Sequence, residues 1–126
     1  MLYSVDDKRM DYVPRGRRKA FDYWRSRMTP NDFEAICAAL EVRFNTDEVH
    51  TSSWIPGSDW TGTPYQPIYE DACGRDPEAA AKFFGLIVWY VAATRHPGIW
   101  GFGHFEKDGV SIQGMTYFRR NAPPGV

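Results

Sequence analysis

The sequence predicts an α+β domain: a central buried helix packed on a small antiparallel sheet with a C-terminal β-hairpin, preceded by two N-terminal helices. Three observations carry that prediction. Residues 76–95, DPEAAAKFFGLIVWYVAATR, form a capped run with an uncharged middle. Two β-rich segments flank Asp108-Gly109, a strong two-residue hairpin signal. Helical signals fill residues 17–44, so the helices gather ahead of the hairpin and do not alternate with strands as in a doubly wound sheet.

Residues 1–16 mix charge with Pro14 and Gly16 and read as a loosely ordered arm, with Val5, Tyr12 and Val13 available to pin it. A short helix is expected over about 17–28, where Phe21, Trp24 and Met28 make one apolar stripe. The basic cluster Arg15, Arg17, Arg18 and Lys19 reads as a solvated helix start. Phosphate or nucleic-acid contact is the sharper alternative, but the stripe beside it is more simply explained by core packing.

Thr29 can cap the next helix, with Pro30 in its first turn and Asp32 at capping-box spacing. Phe33, Ile36, Cys37, Leu40 and Phe44 fall on one face of it, so Cys37 reads as packing. Residues 48–55, EVHTSSWI, are β-branched and aromatic and read as a strand. Residues 56–74 carry three prolines and three glycines, which precludes a long helix or a central strand. A short helical turn fits within them at 67–73.

The central helix follows. Asp76 suits its N-cap, Pro77 its first position and Glu78 the positive end of its dipole. Arg95 and His96 suit the other end, and Pro97-Gly98 stops it. Eight large side chains lie between Phe83 and Val91. At about 1.5–3 kcal/mol each they represent roughly 12–24 kcal/mol of gross burial, an upper bound but too much to leave in water. The run is too short for a bilayer, which needs about 20 apolar residues.

In the hairpin, pairing of Lys107 with Val110 puts Gly101 opposite Thr116 and Gly103 opposite Gly114 on one face. Trp100 then opposes Tyr117, and Phe102 opposes Met115, on the other. The glycines leave a trough that the central helix is expected to cross. Residues 121–126 read as a loose tail.

The whole 126-residue chain reads as one domain, and 43% hydrophobic with 25% charged residues argues against disorder. The net charge of −1 gives no bulk pull toward nucleic acid or membrane. Charge is uneven, however: residues 1–28 hold eight Lys/Arg against four Asp/Glu. The N-terminus has no apolar signal segment, so a cytoplasmic protein with reduced Cys37 and Cys73 is expected.

No GxGxxG, P-loop, HExxH, CxxC or GxSxG occurs, and neither a metal, a cofactor nor a catalytic residue is assigned. Aromatic residues at 16% are in surplus, which points to interfaces or pockets. Trp100, Phe102, Met115 and Tyr117 would form an apolar patch that must be covered by the chain itself, a second subunit or a ligand. Trp54, Trp60, Tyr65 and Tyr69, with His50 and His104, are the candidate ligand-binding residues. The leading expectation is a small soluble binding or interaction protein that forms a homodimer through the aromatic sheet face. The alternative is a small-molecule-binding protein or enzyme, with an aromatic pocket between the 56–74 loop and the 99–119 hairpin.

Overall fold

In the computed structural model, the structure describes residues 1–4, 8–46, 49–51, 62–95, 98–103, 106–107, 110–111 and 116–120. The α+β class holds. In chain order the elements are Leu2–Tyr3 (β1), Arg9–Met10 (β2), Arg18–Ser26 (α1), Pro30–Thr46 (α2) and Val49–Thr51 (β3). After them come Pro77–Tyr90 (α3), Trp100–Gly103 (β4), Glu106–Lys107 (β5), Val110–Ser111 (β6) and Thr116–Arg119 (β7). A tight turn at Arg15–Arg17 leads into α1, a wide helical turn spans Ile68–Ala72, and α3 runs on through wide turns to Arg95.

The central helix begins where the residue types place it. The Asp76 carboxylate accepts from the backbone N–H groups of Glu78 and Ala79 at 3.0 and 3.3 Å, and Pro77 follows at a position that needs no donor. Of the large residues on the helix, Phe83, Phe84, Ile87, Val88, Trp89 and Val91 are buried, while Leu86 and Tyr90 are half-buried. The N-terminus of α2 is also as expected: Thr29 Oγ1 accepts from the Asp32 N–H at 3.1 Å. All five residues of its apolar stripe, Phe33, Ile36, Cys37, Leu40 and Phe44, are buried. Arg95, at the end of the long helix, clasps both carboxylate oxygens of Glu34 at 2.8 and 2.6 Å and reaches Glu41 at 3.1 Å. This two-pronged pair ties α2 to the last turn of the central helix.

The sheet departs from expectation in three ways. First, it is mixed. Five strands run in the order β2-β1-β4-β7-β3, and β1 lies parallel to β4 while the other pairs are antiparallel. Second, the described residues of the 1–16 segment contribute to the sheet and the core. Leu2 and Val13 are fully buried, and β1 is hydrogen-bonded between β2 and β4. A two-residue strand paired to a segment nearly a hundred positions away leaves no local periodicity to read.

Third, the hairpin changes register. Next to the turn Lys107 pairs with Val110, as expected, but farther out Gly101 pairs with Phe118 and Phe102 with Tyr117. These outer pairs are displaced by two residues, so each residue keeps its face but changes its partner. Phe118 thereby fills the glycine trough from the neighbouring strand: a Cβ on Gly101 would meet its ring at 2.4 Å. The helices pack instead on the opposite, aromatic face. There Phe44 lies 5.0 Å from Trp100 and 5.9 Å from Tyr117, and Trp89 lies 4.4 Å from Phe102, between ring centroids.

In the 56–74 segment the described part begins at Gly62, whose φ of 76° suits a residue without Cβ. The tail 121–126 lies outside the described residues. No helix among the described residues is long and apolar enough to cross a membrane.

Candidate functional site

The central helix is not wrapped on all sides. Ala81, Gly85 and Trp89 form a row at i, i+4 and i+8, with Lys82 and Leu86 beside it, and this stripe floors a cleft of about 410 Å³. The opposite wall is the start of α1 and the turn before it, with Pro14, Arg17, Ala20 and Trp24. Tyr117, reaching in from β7, is the least exposed of the lining residues at 1%. The volume is in the range of small-molecule sites.

Gly85 makes the notch. A Cβ there would meet nothing within 4 Å, so no packing neighbour requires glycine at this position. Glycine inside a helix costs about 0.8–1 kcal/mol relative to alanine. The most apolar helix of the chain therefore carries a destabilising residue whose structural effect is to keep a space open.

The walls are held in place. The Trp89 indole N–H donates to the Tyr12 carbonyl at 3.0 Å, and the Trp24 ring packs 5.5 Å from Phe83. Arg18 Nε donates to the Val13 carbonyl at 2.8 Å, and its guanidinium lies 5.3 Å from the Tyr12 ring centre, anchoring the turn that carries Pro14 and Arg17. The charge at the rim is positive. Arg17 is exposed, as is Lys82, which pairs 3.5 Å away with the equally exposed Glu78. Such a surface pair holds its partners weakly.

Tyr117 is the polar group of the interior. Burial pushes its phenol well above the usual tyrosine range, so the hydroxyl stays protonated. Among the described residues it has no hydrogen-bond partner, and an unmet buried donor costs about 1–3 kcal/mol. Tyr117 thus brings to the lining a buried hydroxyl that has no partner among the described residues.

Of the expected ligand-binding residues that are described, neither Tyr65 nor Tyr69 lines this cleft. Tyr65 is buried with its ring 5.1 Å from Phe84, and Tyr69 is half-buried against the same core, so both anchor their segment by packing. His50 lies in β3, in register with Tyr117. Trp54, Trp60, His104 and Met115 lie outside the described residues, as does His96. Trp100 and Tyr117, expected at a subunit interface, are covered within the chain by Phe44, and Phe102 packs half-buried on Trp89. A second, acidic concavity between α2 and the 63–71 segment includes Asp32, Glu70 and Asp71, but Glu70 is paired with Arg75 at 2.8 Å. Among the described residues no three His, Cys, Asp or Glu side chains converge as a metal site would require.

Sequence reasoning missed the cleft because it treated every large residue of the central helix as core. The available signal was the small-residue row Ala81–Gly85 within an otherwise bulky helix. No protein-family model, curated protein or solved structure matches the chain.

Proposed function

We propose that the chain is a small-molecule-binding protein whose ligand occupies the notch over Gly85, between Trp24 and Trp89. The supporting observation is Gly85 itself, a helix-interior glycine with no steric need for its missing side chain, in a lining that includes two tryptophans and a buried phenol without a hydrogen-bond partner among the described residues. The lining joins a mostly apolar wall to a few polar groups, the usual make-up of a ligand pocket. Among the described residues its titratable members are Arg17, Lys82 and Tyr117, a set suited to holding a ligand more than to paired acid–base chemistry. The reading keeps the sequence-based alternative of an aromatic pocket and moves it from the 56–74 loop to the cleft between α1 and α3. Of the face expected to dimerise, Trp100 and Tyr117 are buried within the chain, Phe102 is half-buried and Met115 lies outside the described residues.

The test is a thermal-shift screen of small aromatic compounds against the wild type and Gly85→Leu. The substitution fills the notch and raises helix propensity, so the variant is expected to melt higher than the wild type and to lose ligand-induced shifts. Wild-type hits that shift Gly85→Leu equally would place binding elsewhere and reject the proposal.

A further inference from the structure

This inference rests on the reading of the Gly85 notch as a ligand site and adds the chemistry of the ligand. The cleft combines three kinds of lining group. Its least exposed lining residue is Tyr117, whose hydroxyl has no hydrogen-bond partner among the described residues. Its apolar lining is Ala20, Trp24, Ala81, Leu86 and Trp89. The Trp89 N–H is already engaged by the Tyr12 carbonyl, so that wall offers ring surface and no donor. Its rim carries two exposed cations, Arg17 and Lys82.

Each kind selects a feature. A buried hydroxyl without a partner gains most from a ligand atom that accepts its proton, so Tyr117 calls for a carbonyl-type oxygen. An anion buried there would lose its hydration. Two indole side chains favour a flat body with π faces. Arg17 and Lys82 favour a negative group at the mouth, where it remains in contact with water, and they disfavour an amine. We infer that the cleft takes a small aromatic monoanion, with a carboxylate held at the mouth by Arg17 and Lys82 and a neutral carbonyl-type acceptor bonded to Tyr117.

Three probes of nearly one shape separate the parts: 4-acetylbenzoate has both features, 4-isopropylbenzoate lacks the acceptor, and 4-methylacetophenone lacks the charge. Each is titrated into the full chain by two-dimensional NMR. The wild type should bind 4-acetylbenzoate about tenfold more tightly than 4-isopropylbenzoate, the worth of one buried hydrogen bond. Tyr117→Phe should bring that ratio close to one. The uncharged ketone should bind a few-fold more weakly than 4-acetylbenzoate, and Arg17→Gln with Lys82→Gln should erase this difference, as should high salt. Equal affinities for all three probes, abolished by Gly85→Leu, would overturn the ligand class and leave the site. No binding of any probe, or binding unchanged in Gly85→Leu, would overturn both.

Discussion

The two flanks of the central helix are built from neighbouring residues and packed in opposite ways. On one flank Phe83, Phe84, Ile87 and Val88 are buried against Phe21, Tyr65 and the rest of the core. On the other, Ala81, Gly85 and Leu86 border open space between Trp24 and Trp89. The presence of an apolar side chain alone does not decide which flank is closed, since Leu86 and Trp89 both line the open one. Side-chain volume does: the closed flank buries Phe83, Phe84, Ile87 and Val88, while the open one sets Ala81 and Gly85 a turn apart. A helix can be central to a core and still leave one groove unfilled.

The sharpest way to break this contrast is truncation on each flank. Ile87→Ala removes a fully buried side chain from the closed flank and should cost about 2–5 kcal/mol in urea unfolding. Leu86→Ala, at a half-buried position beside the cleft, should cost clearly less. Equal losses would mean that the two flanks do not differ.

Gly101 offers a second contrast, this time with Gly85. Its absent side chain is demanded by the Phe118 ring, which a Cβ would meet at 2.4 Å. Gly101→Ala should therefore destabilise by about 1–3 kcal/mol, in the manner of overpacked cores. Gly85→Ala should stabilise by roughly 0.8–1 kcal/mol, read as a higher Tm, because nothing opposes the new methyl group. Opposite signs for two glycine-to-alanine changes would separate a glycine required by packing from one that packing does not require.

The two buried thiols give the mildest effect and probe the packed region through pH. Burial pushes Cys37 and Cys73 up to about 11 from an ordinary value near 9. In the unfolded chain they ionise from about pH 9, while in the fold they hold their protons until about pH 11. Their raised values leave stability intact below pH 9 and erode it as pH rises toward 11. Urea midpoints should fall across that window, and the fall should flatten in Cys37→Ala and Cys73→Ala.

Much of the architecture was legible in the chain. The caps at Asp76 and Thr29 and the stripe from Phe33 to Phe44 are local signals, and each stands where the residue types place it. What escaped was non-local. The pairing of Leu2–Tyr3 with Trp100–Gly101 joins opposite ends of the sequence, and the two-residue displacement of the hairpin depends on how the sheet meets the helices. One error produced another. With Thr116 assigned opposite Gly101, the trough was left empty for a helix; with Phe118 there, the space at Gly101 is taken, and the aromatic face turns to the core. Tyr117 was legible as part of an apolar patch, but its place in the lining of a cleft required three elements in position.

The central claim is most directly tested at the amide of Gly85. In a two-dimensional 1H–15N spectrum titrated with 4-acetylbenzoate, the account predicts saturable shifts at Gly85, at the neighbouring amides of Leu86 and Trp89, and at the Trp24 indole N–H. Saturable binding that leaves these signals in place while moving others would contradict it.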